Sequence, residues 1–464
     1  MLFNSTEFLL FLAAFVLLYV LVRAHLRLRN LLIVAASYLF YGWWDWRFLG
    51  LLVLSSVVDF KVGLGLARAA TDRQRRAWLG LTLLFNLGLL GTFKYFGFFL
   101  DSFHALLDSV GVQHASWTWQ IVLPVGISFY TFQSLGYTLD VYRGKIEPAR
   151  DLVSFLAFVS FFPQLVAGPI ERASHLLPQF QHCRRIRLDD LENGAWLILW
   201  GLFKKVVIAD QLAPFAELAF EHDIRSAPIL LLGTFAFAGQ IYGDFSGYSD
   251  IARGVASLLG FELMRNFDQP YAATSLRDFW RRWHVSLSTW MRDYLYVPLG
   301  GNRGSEVRTA ANLLLTFLIA GLWHGAAWNF VLWGAWHGLG LIIQRQWSRR
   351  SPWLLPRPLA WLLTMATVGY GWLLFRAATP GSLARTHTSL LTWTAPPWLA
   401  DVALGILPWL LPLMVLEFWP GSKPSPTSLV RLPHAARGAL AGFLVLAIAA
   451  YWERDAVPFL YFQF

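Results

Sequence analysis

The chain has 464 residues, of which 56% are hydrophobic and 14% are charged, and its formal net charge is +10 at pH 7. Long apolar runs without charge recur along the sequence. They exclude a disordered, collagen-like or disulfide-stapled protein and indicate an all-α polytopic membrane protein. The positive charge does not indicate nucleic-acid binding, because the basic residues lie in loops between the apolar runs, as expected for a protein in a lipid bilayer.

Twelve apolar segments approach the ~20 residues that a helix needs to cross a bilayer. They are residues 5–22, 31–44, 48–66, 77–100, 121–139, 195–219, 228–248, 310–326, 328–344, 358–375, 401–419 and 438–452. Most of the 38 lysines and arginines fall in alternate loops, which predicts that these loops are cytoplasmic and that both termini are periplasmic. No basic residue precedes the first segment, so we expect a retained span rather than a cleaved signal peptide.

Two segments of the expected single membrane domain, residues 1–464, break this pattern. Residues 152–170 are apolar, but basic loops flank them on both sides, so a span would place one basic loop outside. Residues 266–308 are too charged to span and too aromatic for an ordinary loop. We predict that both are re-entrant or in-plane elements, which are tolerated where protein or a water-filled cavity surrounds them.

The second of these segments predicts an amphipathic helix. Its apolar face would carry Phe279, Trp283, Leu287, Trp290 and Tyr294, and its opposite face Arg281, His284, Ser288 and Arg292. Two interpretations follow equally well from the charge pattern. The helix can lie on anionic lipid at the membrane interface, or it can line a cytoplasm-facing cavity that receives an anionic ligand.

A histidine in the triplet Trp323-His324-Gly325 follows an apolar run and precedes another. Ionisable residues are costly inside a membrane, so His324 is a candidate for function. A neutral imidazole accepts a proton, as a general base must. The residues alone favour the alternative, a histidine that bonds a neighbouring helix. The triplet recurs at Trp336-His337-Gly338, and there we favour a structural role for His337 over one as a partner of His324.

Other polar groups lie at the ends of predicted spans. Asp244 can orient a histidine or be held by backbone amides, and Ser128 and Gln133 lie in a stretch typical of a narrow polar passage. The histidines lack a clustered ligand spacing, so we predict no metal site. Nucleophile-elbow, phosphate-loop and zinc-protease motifs are absent from the sequence.

Three aromatic and basic motifs occur together in the second half of the chain: Phe279–Trp290, Arg292–Arg303 and Trp323–Ala326. In this combination the chain resembles the membrane-bound O-acyltransferase (MBOAT) superfamily, and within it the bacterial AlgI subfamily of alginate O-acetylation. Further similarity to that subfamily lies in Leu123–Phe132, Val141–Gly144, Ala167–Ile170, Asp244–Asp250 and Phe459–Phe464. Residues 377–435 match least well, which suggests that they carry partner specificity.

The resemblance implies a ring of about 11–13 transmembrane helices around a central funnel, with re-entrant helices. It implies that His324 is the catalytic histidine and that His284 is a second functional histidine on the cytoplasmic side. It also implies an O-acetyltransferase of the bacterial inner membrane that takes an acetyl group from acetyl-CoA as substrate, with no permanently bound cofactor. A periplasmic SGNH-hydrolase-like acetyltransferase would complete transfer to an exported polysaccharide.

The physical chemistry of the residues agrees with these expectations. Arg281, Arg282 and Arg292 can bind donor phosphates through charge-assisted hydrogen bonds, and Ser288 and Trp323 are further candidates for donor binding or for lining the tunnel. His324 would act as a general base, with an acetyl-histidine intermediate as the competing mechanism. The alternatives are cellulose or peptidoglycan O-acetylation, or a non-enzymatic acyl-group transporter or scaffold, although no convincing internal repeat supports a transporter.

Overall fold

The computed structural model of the chain describes residues 1–112, 121–222, 224–351, 355–377, 379–418, 433–452 and 457–460. All regular secondary structure in these ranges is helical. The α-helices are α1 Thr6–Val22, α2 Leu26–Asp45, α3 Leu49–Arg68, α4 Asp72–Leu90, α5 Phe96–Ser109, α6 Ile127–Tyr142, α7 Leu152–Ser160, α8 Phe162–Leu165, α9 Ala173–Gln181, α10 Leu188–Leu202, α11 Asp210–Phe220, α12 Ala227–Leu258, α13 Leu276–Arg282, α14 Val285–Met291, α15 Glu306–His324, α16 Trp328–Arg350, α17 Arg357–Arg376, α18 Pro380–Leu390, α19 Leu399–Phe418 and α20 His434–Tyr451. Short 3₁₀ segments at Trp46–Phe48 and Pro270–Ala272 and π-helical segments at Gly91–Tyr95, Phe203–Ala209 and Arg292–Tyr296 complete the helical elements.

Helix covers most of each of the twelve predicted spans, although in the span 121–139 it begins only at Ile127, and residue 419 of the span 401–419 lies outside the described residues. By length and composition, five helical stretches of the described residues can cross a membrane, and two shorter apolar helices accompany them at Thr6–Val22 and Leu399–Val415. The five are Leu26–Arg68, Asp72–Ser109, Glu306–His324, Arg357–Arg376 and His434–Tyr451. The chain is therefore an all-α, multi-pass membrane protein, and the larger predicted number of spans stays a prediction.

Contacts divide the chain into two compact units, the first formed by Met1 and Leu10–Arg185. Several buried polar side chains in its helices bond to one another inside the protein, which suits an environment of low polarity. The buried Asp59 of α3 accepts hydrogen bonds from Thr82 Oγ1 at 2.5 Å and Asn86 Nδ2 at 3.0 Å, both on α4. Arg29 and Asn30 of α2 donate to the carbonyl oxygens of α9, which fastens these two helices together.

The predicted re-entrant stretch 152–170 is broken into α7 and the single turn of α8. The nine residues of α7 extend about 13 Å at 1.5 Å per residue, less than half of a hydrocarbon core of about 30 Å. Asp151 caps the start of α7 by accepting the Ser154 N–H at 2.7 Å. Neither helix can cross a bilayer by itself, and the path of this stretch relative to the membrane stays a prediction.

The second unit comprises Leu2–Leu9 and Ile186–Phe464, and its longest helix is α12, with 32 residues. Helices α10 and α12 approach closely at Gly201, where a Cβ atom would lie 2.5 Å from the carbonyl oxygen of Gly247. The π-helical segment Phe203–Ala209 continues α10 and carries two buried lysines towards α12. Small residues at such contacts allow helix backbones to pack tightly within a membrane.

The prediction of one amphipathic helix across Phe279–Tyr294 is wrong. The chain leaves the helical conformation at Trp283, and His284 adopts left-handed backbone angles, φ 45° and ψ 54°, so two short helices, α13 and α14, replace it. The five residues of the predicted apolar face are buried nonetheless. The break turns His284 inwards, so this side chain is 1% exposed instead of lying on a solvated basic face.

Candidate functional site

His324 is the last residue of α15. The backbones of α15 and α16 are in contact, because a Cβ atom on Gly321 or Gly334 would overlap the main chain of the opposite helix. The chain then turns at Gly325, which is extended, and returns as α16. This hairpin buries His324, which is 5% exposed, between the two helices.

Aromatic rings surround His324. Its ring centroid lies 5.0 Å from that of Trp333 and 5.4 Å from that of Phe375, both edge-to-face, and 5.1 Å from that of Trp323. Edge-to-face packing is the favoured geometry for such rings. An imidazole in this apolar environment is held in one orientation and shielded from bulk water.

His284 lies in the turn between α13 and α14. Phe245 of α12 packs edge-to-face against its ring at 4.7 Å between centroids, and its Nδ1 atom lies 3.2 Å from Asn266 Oδ1. Helices α13 and α14 have seven residues each, about 10 Å at 1.5 Å per residue, so neither can cross a bilayer by itself. Burial lowers the pKa of His284 to about 3, so its imidazole is neutral at pH 7.

The two histidines come together in the second unit. Their ring centroids are 6.4 Å apart, and Trp323 contacts both rings, at 5.8 Å from His284 and 5.1 Å from His324. At this separation a single small substrate group can contact both imidazoles. Two buried imidazoles beside one another have the chemistry to accept, hold and return a proton.

His337, for which the sequence favours a structural role, is also buried close by. The ring of Trp333 contacts both histidines of the repeated triplet. Its centroid lies 4.9 Å from that of His337 and 5.0 Å from that of His324. Trp280 of α13 packs edge-to-face on His337 at 5.1 Å. His337 therefore supports Trp333, and through it the ring that contacts His324.

The three predicted donor-binding arginines differ in their surroundings. Arg281 and Arg292 are exposed, and Arg292 pairs with the adjacent Asp293 at 2.7 Å. Arg282 is half-buried and donates to Asp278 at 2.9 Å and to the main-chain oxygen of Asp268. Arg281 is thus available to an anionic ligand, Arg292 is exposed but engaged by Asp293, and Arg282 helps to build the loop before His284.

Ser288, another predicted donor-binding residue, is half-buried on α14. Its hydroxyl donates to the carbonyl oxygen of Trp283 at 3.2 Å, and its main-chain N–H donates to the carbonyl oxygen of His284 at 2.9 Å. These bonds close the turn that carries His284. Binding of a donor by Ser288 stays a prediction.

For Asp244 the sequence left two alternatives, orienting a histidine or being held by backbone amides. The structure shows a bond to a backbone amide. Its Oδ2 accepts the N–H of Leu460 at 2.8 Å, and its Oδ1 pairs with Lys205 Nζ at 2.8 Å. Lys205 also pairs with Asp210 at 2.7 Å. Asp244 therefore fastens the C-terminal segment to α12. Residues 461–464 of the motif at Phe459–Phe464 lie outside the described residues, as do residues 419–432 of the region 377–435, for which the sequence suggests partner specificity.

Ser128 and Gln133 of α6 belong to the first unit. Ser128 Oγ accepts from Lys94 Nζ at 3.2 Å, and Lys94 lies on the π-helical segment between α4 and α5. Gln133 Nε2 donates to the carbonyl oxygen of Phe158 at 2.7 Å, and its Oε1 accepts from Gln164. Both side chains are buried in polar interactions of their own unit, and their role as tunnel-lining residues stays a prediction.

Sequence reasoning missed four residues of the histidine site: Phe245, Asn266, Trp333 and Phe375. Phe245 lies within the motif Asp244–Asp250 and Asn266 begins the segment 266–308, but the contacts of all four residues depend on the packing of separate elements. Within the described ranges, no group of three or more His, Cys, Asp or Glu residues is arranged to hold a metal ion.

Comparison with known proteins places this site in a family. The model of the membrane-bound O-acyltransferase family matches residues 148–378, which include both histidines. The chain is 41% identical, over 510 aligned residues covering 100% of both proteins, to "Probable alginate O-acetylase AlgI" of Azotobacter vinelandii. It is 45% identical to the protein of the same name in Pseudomonas aeruginosa, with 81% of this chain and 72% of that protein covered.

A relative with a different name is "Peptidoglycan O-acetyltransferase" of Helicobacter pylori, which is 39% identical, with 75% of this chain and 71% of that protein covered. Similarity thus extends over whole proteins and is not confined to the short motifs around the histidines. The range matched by the family model includes the Trp323-His324-Gly325 hairpin and His284. The chain is a member of the membrane-bound O-acyltransferase family, and it is a membrane O-acyltransferase.

Proposed function

We propose that this enzyme takes an acetyl group from cytoplasmic acetyl-CoA and passes it across the bacterial inner membrane for O-acetylation of an exported polysaccharide such as alginate. The observation that carries the proposal is the buried pair His284 and His324, whose rings are 6.4 Å apart. The names of the relatives that match the chain at 41% and 45% identity support acetyl as the group and alginate as the acceptor.

In the proposed reaction His324 is the general base. It removes the proton of an acceptor hydroxyl as the hydroxyl oxygen attacks the thioester carbonyl, and the imidazolium then returns a proton to the departing CoA thiolate. The products are an acetyl ester and CoA thiol, so protons balance. General-base assistance of this kind is typically worth about 10²–10⁴-fold in rate. The competing route is attack by His324 itself to form an acetyl-histidine, which the acceptor then consumes.

The donor in this proposal enters from the cytoplasm, where the exposed guanidinium groups of Arg281 and Arg292 attract its phosphates. The acceptor is outside, beyond a membrane that a charged thioester does not cross. A periplasmic SGNH-hydrolase-like acetyltransferase would therefore receive the group and complete the transfer. Both termini would lie on that periplasmic side, as the distribution of basic loops indicates.

Peptidoglycan is the second candidate acceptor, and the 39% identity to the peptidoglycan O-acetyltransferase of Helicobacter pylori favours it. Cellulose acetylation is a further alternative. A transporter or scaffold without thioester chemistry is the alternative of a different class. Such a protein would use the same histidines only for structure, and it would not release CoA.

The deciding experiment is release of CoA thiol from acetyl-CoA by the purified protein in nanodiscs, with and without a candidate periplasmic partner. We expect turnover by the wild type and loss of at least about 10²-fold in His324→Ala. His387→Ala is the matched control, because His387 bonds Tyr370 and Leu383 and has no described contact with either site histidine. Full turnover by a folded His324→Ala protein would disprove the assignment of the base, and no turnover by the folded wild type would favour the scaffold.

A further inference from the structure

Asn266 lies at the centre of the turn that holds His284. Its main-chain oxygen accepts the N–H of Val285 at 2.9 Å, and its side-chain Oδ1 accepts the N–H of Ser286 at 3.2 Å and the Ser286 hydroxyl at 2.9 Å. The same Oδ1 lies 3.2 Å from His284 Nδ1. Asn266 is 1% exposed, so these contacts are made away from bulk water.

The backbone of His284 needs this support. Its φ of 45° lies in the left-handed region, which is uncommon for residues other than glycine and which asparagine, aspartate and histidine adopt more often than the rest. Such a conformation persists only where surrounding contacts determine it strongly, and it is frequent at functional sites. The bonds from Asn266 to the two residues that follow His284 fix the main chain and thus the direction of the imidazole ring.

The contacts also determine which ring nitrogen carries the proton. A backbone N–H can only donate, so the Asn266 atom that contacts Ser286 N is the amide oxygen and not the nitrogen. An amide oxygen can only accept, so His284 Nδ1 is the donor in the 3.2 Å contact. The Ser286 Oγ also lies 3.4 Å from Nδ1, but its proton is directed at the Asn266 oxygen, so it too can accept from Nδ1. In a neutral imidazole the other nitrogen, Nε2, then carries the lone pair.

We propose that Asn266 is a positioning residue: it holds the His284 imidazole as the Nδ1–H tautomer and so makes Nε2 the atom that accepts a hydrogen bond or proton during acyl transfer. The proposal rests on the function proposed above and deepens it. It assigns to His284 the part of a second neutral base beside His324, and it assigns the cause of that state to a residue outside both histidine motifs.

Most charged groups near His284 are already paired with a partner. His324 is the titratable group whose ring contacts it directly. On α12, which contributes Phe245, Asp244 is paired with Lys205 and Asp250 with Lys204. Arg265 and Asp268, on either side of the segment that carries Asn266, pair with each other at 2.9 Å. A new carboxylate at position 266 would therefore be the main local change in charge.

Two variants test the proposal by activity. Asn266→Ala removes the acceptor, and we expect kcat of CoA release to fall by about 10-fold or more, because an imidazole in the wrong tautomer is a poor base, with KM for acetyl-CoA nearly unchanged. Asn266→Asp keeps an acceptor oxygen, so we expect it to retain most of kcat. Its carboxylate favours the imidazolium, so the acid limb of its pH–rate profile should move to higher pH.

The matched control is Asn312→Ala. Asn312 is a buried asparagine of α15 that donates to the Gly301 carbonyl oxygen at 3.0 Å and has no described contact with either histidine. We expect this variant to retain kcat. If Asn266→Ala fails to fold, Asn266→Asp alone decides: an unchanged pH–rate profile would overturn the proposal.

A second measurement does not depend on activity. Nitrogen-15 NMR of the histidine-labelled protein reports the tautomer, and His284→Gln assigns the signal. We expect Nδ1–H in the wild type and loss of that preference in Asn266→Ala. A wild-type His284 with its proton on Nε2 would overturn the proposal. An inactive wild type with the expected tautomer would instead count against the proposed acetyl transfer while leaving the role of Asn266 intact.

Discussion

The imidazoles of His284 and His324 lie 6.4 Å apart between ring centroids, although one is held in a strained turn and the other ends a long helix. If both act on one reacting group, their contributions are not independent. We predict that the double variant His284→Ala/His324→Ala is no slower in CoA release than the slower single variant, as for residues that work as a unit. Rate losses that multiply in the double variant would contradict this prediction.

Acid should destabilise the fold through His284. Its pKa is about 3 in the folded protein and about 6.5 when unfolded, so between these values only the unfolded state binds the proton. The contribution of His284 to the free energy of unfolding is therefore fully present above about pH 6.5. It is lost as the pH falls, and at pH 5 the loss is about 2 kcal/mol. In His284→Gln the Tm measured in detergent should fall less between neutral pH and about pH 5. An equal fall in both proteins would contradict the pKa shift.

The arginines near His284 should separate into two classes. Arg281 is exposed, so Arg281→Ala should raise KM for acetyl-CoA on the order of tenfold without lowering Tm, through loss of a charge-assisted contact. Arg282→Ala should instead lower Tm, because Arg282 bonds Asp278 and the loop before His284. Arg385→Ala, an exposed arginine predicted to be periplasmic, is the control. A KM unchanged in Arg281→Ala would exclude that residue from donor binding.

Asp244 should contribute to stability more than to chemistry. Asp244→Asn removes one of two carboxylates around the buried Lys205, and breaking a buried ion pair costs about 3–5 kcal/mol at most. We expect a lower Tm with kcat preserved in the protein that remains folded. The exposed Asp189→Asn is the control. Loss of kcat with an unchanged Tm would instead indicate that Asp244 takes part in the reaction.

The α15–α16 contact should control the position of His324. At Gly334 an added methyl group would overlap the Phe317 main chain, so Gly334→Ala must push the two helices apart. We expect lower kcat and lower Tm, although alanine is otherwise better than glycine within a helix by about 1 kcal/mol. Gly369→Ala on α17 is the matched control, because nothing lies within 4 Å of its added Cβ. Equal activity and Tm in the two variants would show that this contact is unimportant.

The local pattern of the sequence was sufficient for several features. Runs of apolar residues predict helices because a backbone in lipid must bond to itself, and helix covers most of each of the twelve predicted segments. The motifs around His284 and His324 resemble one family, and the comparisons confirm it. The burial of Phe279, Trp283, Leu287, Trp290 and Tyr294 also agrees with their pattern, although the continuous helix predicted for them does not exist.

The remaining features depend on contacts between residues that are far apart in sequence. Asn266 holds the turn at His284 because its main-chain and side-chain oxygens accept the N–H groups of Val285 and Ser286, and helical periodicity contains no signal of those bonds. Asp244 bonds Lys205 and Leu460 rather than a histidine because α10, α12 and the C-terminal segment meet there. The sequence by itself predicted most of the helices, the family and the two histidines of the candidate site. The tertiary structure decided their 6.4 Å approach and their aromatic surroundings, since both arise only when separate helices pack.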